Sequence, residues 1–206
     1  MKIAMTGFTG GIGSRICEEL KLNNIEVIKI KEDLTTNFTV DITGVDGLIH
    51  CAGVNNVCPF QETNFDDFEN ILRINSLSFI KLCQQIKFND ESNIIAIGSL
   101  YATFVKPERL MYTFSKHALL GAVKTLALEM SNRKIKVNMI SPGFVDTPLT
   151  RKNNTLQRIS ELNDLIPLGL TDSSQIAKMC LYLVQNNQAI TGQNLIIDGG
   201  YSCVVA

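Results

Sequence analysis

The 206-residue chain has no block of one charge sign: 19 basic and 20 acidic residues leave a formal net charge of -1. That excludes the electrostatic footprint of a nucleic-acid binder. Six cysteines (Cys17, Cys51, Cys58, Cys83, Cys180 and Cys203) are scattered, without a Cys-x-x-Cys pair or zinc-ligand spacing. This argues for reduced thiols rather than a disulfide framework. His50 and His117 are the only histidines, too few for a His-based metal site, and no metal is expected. No apolar run approaches membrane-spanning length. Met1–Gly7 leads straight into a Gly-rich loop, which leaves no room for a signal peptide, so the expected location is the cytoplasm. No repeat, low-complexity tract or linker interrupts the chain, and residues 1–206 are expected to form one domain. What the chain does have is core material, 45% hydrophobic against 19% charged residues.

Short apolar runs alternate with longer helical patterns. Strands are expected at Lys2–Thr6, Glu26–Ile30, Thr39–Ile42, Gly47–Cys51, Asn93–Gly98, Lys136–Ile140 and Asn194–Ile197. Helices are expected at Gly11–Asn23, Phe65–Lys87 with Asn64 as its cap, Tyr112–Ser131 and Ser174–Gln185. Strand–helix alternation implies parallel strands joined by right-handed crossovers: an α/β, three-layer, doubly wound sheet of Rossmann-like type. Little length separates the second and fourth strands, so Lys31–Val40 is expected to be a shortened loop where a crossover helix would normally lie.

Thr6-Gly7-Phe8-Thr9-Gly10-Gly11-Ile12-Gly13 follows the first strand and opens into a helix. A pyrophosphate must approach backbone amides at a helix N-terminus, where side chains would obstruct it. Gly7 and Gly11 suit the turn and the close approach, Gly13 lets the helix pack near the strand, and Thr6 and Thr9 offer hydroxyls. Further on, Tyr112-Thr113-Phe114-Ser115-Lys116 puts a phenol and an ammonium about one helical turn apart. An ammonium stabilises phenolate, so such a tyrosine can exchange a proton with a carbonyl or carbinol oxygen. Ser99 ends a strand, where parallel sheets carry ligand sites, and Asn75 interrupts the apolar face of a long helix, where an amide needs partners.

The Thr-Gly-x-x-x-Gly-Ile-Gly loop and Tyr-x-x-x-Lys pair, with Ser99 13 residues before the tyrosine, resemble the short-chain dehydrogenase/reductase family. The resemblance spans nearly the whole chain. It implies hydride transfer between NAD(P)H and a small-molecule carbonyl or alcohol. In that scheme Tyr112 exchanges the proton, Lys116 tunes it, Ser99 positions the substrate oxygen and Asn75 holds a water of the proton relay. Cys51-Ala52-Gly53 stands where the family often has Asn-Ala-Gly, and its small residues would make room for a ribose. Asp41-Ile42 resembles the pair that contacts adenine. Pro142, Gly143, Val145 and Thr147 resemble the segment lining the nicotinamide, and Ile12 belongs to the loop. Asp198-Gly199-Gly200 matches a closing motif.

Alignment with the family puts Lys31 at the position that selects the cofactor. A cation there favours NADP(H) over NAD(H); a shift of one or two residues brings Glu32 or Asp33 there and reverses the choice. Residues 148–170 are expected to be a mobile substrate loop, in which Arg151, Lys152 or Arg158 could meet an anionic substrate. The resemblance also implies a homodimer or homotetramer formed through the two long helices. The competing reading is a catalytically silent dinucleotide-binding sensor or partner protein, which would be expected to lose Tyr112 or Lys116.

Overall fold

The computed structural model describes residues 1–205. Six parallel strands form one sheet in the order β2-β1-β3-β4-β5-β6. They are β1 (Lys2–Thr6), β2 (Glu26–Lys29), β3 (Thr43–His50), β4 (Lys87–Ile97), β5 (Lys136–Pro142) and β6 (Asn194–Ile197). The helices are α1 (Gly11–Leu22), α2 (Phe65–Leu72), α3 (Ser78–Gln85), α4 (Leu110–Glu129), α5 (Pro148–Lys152), α6 (Leu156–Leu165), α7 (Ser173–Asn186) and α8 (Tyr201–Val205). The doubly wound, Rossmann-like sheet read from the sequence is the fold observed.

Two apolar layers sandwich the sheet because its strands are buried on both faces. On one face Ile16, Leu20, Ile176 and Leu183 of α1 and α7 meet Ile3, Met5, Ile49 and Ile95. On the other, Phe79, Leu82, Leu119 and Val123 of α3 and α4 meet Ala4, Leu48, Ile94 and Val137. Asn64 caps α2 as expected, its carboxamide oxygen accepting from the Asp66 and Asp67 amides at 2.8 and 3.3 Å. The expected helix Phe65–Lys87 is continuous through Gln85, but its middle, Arg73–Leu77, widens into a π turn. Such turns concentrate at functional sites, and this one contains Asn75.

The link between β2 and β3 carries the main correction. Thr39–Ile42 is not a strand; the chain from Ile30 to Ile42 has neither helix nor strand and makes the crossover as a loop that turns at Asp33–Thr36. Phe38, 7% exposed, supplies the apolar cover that a helix would give, packed with Leu34, Val40 and Ile42 against the core. Lys81 lies 4.6 Å over the Phe38 ring, and the Gln85 side chain accepts from the Val40 amide at 3.0 Å, tying the loop to α3. Because β3 begins at Thr43, Asp41 and Ile42 sit at its N-terminal end, where the Ile42 carbonyl accepts from Lys87, the first residue of β4. The Gly-rich loop is at the opposite end, about 20 Å away at the rise of a strand. The expected adenine contact at Asp41-Ile42 is therefore withdrawn: loss of the strand that should precede the pair carries it to the wrong edge.

All C-terminal strand ends fall on one edge. Thr6 pairs with His50, His50 with Ala96, Ile97 with Ile140, and Pro142 with Ile197. The segments that follow, at Gly7, Cys51, Gly98, Gly143 and Asp198, therefore share one rim. Strand order reverses between β1 and β3, which opens a crevice beside the Gly-rich loop. Gly7 turns there at φ +64, and Gly13 lies so close to the Gly7 carbonyl that a Cβ would overlap it. Gly13→Ala is expected to cost about 2–3 kcal/mol, as overpacked sites do. The melting temperature, read by circular dichroism, should fall by about 5–10 °C for a chain of this size.

Candidate active site

Above the C-terminal rim is a cavity of about 380 Å³ whose wall includes Ser99, Tyr112, Gly143 and Thr147. Ser99 caps a short 3-10 turn, its hydroxyl accepting from the Tyr101 amide at 3.3 Å. Tyr112 is in the first turn of α4, partly open to the cavity, with Tyr101 edge-on at 6.0 Å. Lys116, one turn later, is 3% exposed; its ammonium donates to the Ile97 carbonyl at 3.0 Å and lies 5.6 Å from the Tyr112 ring centre. Three of the four expected catalytic side chains thus come together, Ser99 from the end of β4 and Tyr112 and Lys116 from α4.

Burial pushes the Tyr112 phenol up to about 12, while the Ser99 hydroxyl and the Arg109 charge pull it down. Burial brings Lys116 down to about 8. At neutral pH the pair is therefore phenol and ammonium. Cys51, which replaces the family's asparagine, is pushed up to about 12 by burial and stays a thiol.

Asn75 is fully buried, and its side chain is spent within the protein. Its Nδ2 donates to the Val54 carbonyl at 3.0 Å and to the Ser115 hydroxyl at 2.9 Å, and its Oδ1 accepts from the Val54 amide at 2.9 Å. It clamps the loop after β3 to α4 just before Lys116. Gly53 lies over the pair: a Cβ there would stand 3.5 Å from both Asn75 Oδ1 and Lys116 Nζ.

His50, one of the two histidines too few for a metal site, organises this region. Its Nε2 meets the Ile74 carbonyl at 3.2 Å. A carbonyl only accepts, so Nε2 carries the proton. Burial, aided by the Lys116 charge, holds the ring down to about 3, so it is neutral and Nδ1 is free to accept from Thr6 Oγ1 at 3.0 Å. The Thr6 oxygen in turn accepts from the amides of Cys51 and Ala52, each at 3.2 Å. Thr6 is thus a strut between β1 and β3, with its only proton given to His50. A histidine within an apolar strand, next to Cys-Ala-Gly, was the one sequence signal for this network.

No side chain caps the N-terminus of α1 and no acid lies in its first turn. Its free amides and the exposed Thr9 leave room for an anion. Gly11 needs its hydrogen for another reason: Thr147 and Pro148 lie against it, 2.9 and 3.1 Å from where a Cβ would be. Ile12, Pro142, Gly143, Val145 and Thr147 all line the cavity. Lys31 is exposed just past β2. Within residues 148–170, the expected substrate loop, Pro148–Lys152 and Leu156–Leu165 are helical, as α5 and α6. Arg151 is bound bidentately to Asp146 at 2.9 and 2.8 Å, Lys152 points outward, and only Arg158 of the three expected cations reaches the cavity. His117 is exposed.

Among the described residues no helix is long and apolar enough to cross a membrane, and no cluster of metal-ligating side chains occurs. Residues 11–202 match the family described as enoyl-(acyl carrier protein) reductase. D-arabinitol 2-dehydrogenase (ribulose-forming) of Candida tropicalis is 32% identical over 168 residues, 76% of this chain and 60% of the relative. The chain thus spans less than two thirds of that enzyme's length. A solved short chain dehydrogenase family protein from Francisella tularensis subsp. tularensis SCHU S4 superimposes with a TM-score of 0.86 at 25% identity, covering 98% of both chains. A solved 4-hydroxyisoleucine dehydrogenase mutant complexed with NADH and succinate gives a TM-score of 0.84 at 25% identity, over 98% of this chain and 99% of that one. With a parallel six-stranded sheet, a Gly-rich turn into α1 and a Ser–Tyr–Lys cluster on the same rim, the chain belongs to the short-chain dehydrogenase/reductase family.

Proposed function

We propose that the protein is an oxidoreductase that interconverts a small-molecule carbonyl and its alcohol with a nicotinamide dinucleotide. Ser99 and Tyr112 lining one cavity beside the uncapped helix α1, with the buried Lys116 ammonium 5.6 Å from the Tyr112 ring centre, carry this reading. The alcohol and carbonyl chemistry in the relatives' names and the NADH bound by a structural neighbour support it. A bound nicotinamide supplies the hydride to the carbonyl carbon, or accepts it from the carbinol. The protein's part is the proton. Tyr112, a phenol at neutral pH, gives its proton to the carbonyl oxygen as the C=O bond becomes CH–OH, and takes it back in the reverse direction. Ser99 holds that oxygen by a second hydrogen bond. Lys116 provides the positive charge that favours the phenolate left behind. Asn75 positions Val54 and α4 around them.

The dinucleotide would be held by Gly7, Thr9, Gly11, Ile12 and Gly13, by Ala52 and Gly53 after β3, and by Pro142, Gly143, Val145 and Thr147. Thr6 and Cys51 contribute by shaping the backbone there. Exposed Lys31, next to the end of β2, suits the 2'-phosphate of NADP(H). NADPH is therefore expected to bind more tightly than NADH, and Lys31→Glu to reverse the order; fluorescence titration with both cofactors measures it. Tighter NADH binding by the wild type would discard the Lys31 assignment.

The reading itself is tested by turnover of a panel of ketones, aldehydes and alcohols with both cofactors, followed by nicotinamide absorbance. Absence of any turnover would favour the silent sensor over the enzyme. Retention of both Tyr112 and Lys116 supports the enzyme. Exposed Phe65, Leu77, Phe114 and Leu128 along α2–α4 support association of copies through these helices, with light scattering as the check. Six free thiols are consistent with residence in the cytoplasm.

A further inference from the structure

Among the described residues, the cavity that holds Tyr112 is lined by three cations, Lys106, Arg109 and Arg158, and by no carboxylate. Arg158 is paired with Glu161 at 3.0 Å. Arg109 is different: the residue is 8% exposed, and its buried Nη1 has no hydrogen-bond partner among the described residues. A buried guanidinium without a counter-charge is costly, and structures keep few such groups without a reason. The backbone holds it inward. Glu108 adopts a left-handed conformation at φ +63, and its carbonyl accepts from the Cys58 amide at 3.2 Å. This turn leaves the Glu108 side chain on the exposed surface and Arg109 in the cavity wall. Lys106 is exposed at the rim, and its ammonium is held below the usual lysine range by burial and by the Arg109 and Arg158 charges, with Glu108 opposing them. The cavity therefore has a positive end, and the end is three residues from the proton donor.

That spacing matters chemically. Side chains three apart at the start of a helix are neighbours, with Cβ atoms about 5–6 Å apart. A ligand that meets Tyr112 through its oxygen therefore has Arg109 within a few bonds of the reacting carbon. We propose that the substrate is a small hydroxy or keto acid, or its phosphorylated counterpart, whose anion is taken by Arg109 in the cavity where Tyr112 meets its carbonyl oxygen. This rests on the oxidoreductase reading above and adds the substrate class. Guanidinium suits both anions because its planar fork pairs bidentately with carboxylate and phosphate oxygens. Lys106 and Arg158 at the rim attract the anion into the cavity.

Matched pairs test it: 4-oxopentanoate against its methyl ester for carboxylate, and dihydroxyacetone phosphate against dihydroxyacetone for phosphate. Wild type is expected to prefer one anion over its neutral partner by about 10²-fold in kcat/KM, the scale of a buried charge pair. Arg109→Gln should remove the preference chiefly through KM, and Arg109→Lys should restore part of it. Calorimetric binding of the same four compounds needs no turnover. Binding of an anion by wild type and not by Arg109→Gln supports the proposal even if none of the four is reduced. Equal binding of anion and neutral partner, or anion binding that survives Arg109→Gln, overturns it. Melting curves of the variants, with Arg109→Lys as the charge-preserving control, separate this from misfolding. The oxidoreductase reading fails separately, through absence of turnover across the wider carbonyl panel.

Discussion

Tyr112→Phe is expected to lower kcat by about 10²–10⁴-fold, the range set by loss of a positioned general acid, while the melting temperature stays close to that of the wild type. The hydroxyl is the only group removed, and the ring keeps its edge-on contact with Tyr101. Steady-state reduction of any carbonyl turned over by the wild type measures the loss, and wild-type turnover by the variant would remove Tyr112 as proton donor. The pH profile adds a second reading. The phenol titrates at about 12 and Lys116 at about 8, so reduction should proceed through neutral pH with Tyr112 protonated. It should weaken as Lys116 gives up its charge above about pH 8. Lys116→Met should flatten that alkaline limb at a much lower rate.

Acidification should unfold the protein through His50. Its pKa is about 3 in the folded state against 6.5 as the ordinary value. Between these values the unfolded chain binds a proton that the folded protein refuses, so stability falls as pH falls. The contribution is complete above pH 6.5 and is lost on descending to about pH 3. The loss amounts to about 5 kcal/mol at roughly 1.4 kcal/mol per pKa unit. It is of the order of a small domain's whole stability. Denaturant unfolding at a series of pH values should show this slope in the wild type and its absence in His50→Gln, whose side chain does not titrate. Parallel profiles for the two proteins would exclude His50 as the source. Lys116 does not enter this window, since its lowered pKa acts only between about 8 and 10.5.

Strands and helices were legible where apolar spacing was regular: β1 and β6 fall at the expected residues, and α1, α4 and α7 within two. The short β2–β3 link was legible as missing length. What replaced it was not, because nothing in local spacing says that Phe38 will plug a core in place of a helix. The same shortening misled the reading of Asp41-Ile42, whose motif depends on a strand that this chain lacks. The Ser99–Tyr112–Lys116 cluster was readable because loop position and helical spacing fix it. The π turn at Asn75, the Thr6–His50 strut and inward-facing Arg109 depend on contacts between distant segments. Arg109 in particular sits in Lys106-Pro107-Glu108-Arg109, which reads as an ordinary charged loop until the left-handed Glu108 decides which side chain goes in.

Passage of the chain from Ile30 to Ile42 without helix or strand also leaves β2, among the described residues, as an outer strand with nothing hydrogen-bonded beyond it. An open strand margin is a template on which other chains can add and aggregate. Here the margin is only four residues, and both its ends are charged, Glu26 and Lys29. The opposite margin, β6, is equally short. A shortened crossover that exposed a long apolar strand would have made the protein a seed for fibres. With both margins short, the sheet offers few free backbone groups to a neighbouring chain, whereas the helical flank exposes Phe65 and Phe114.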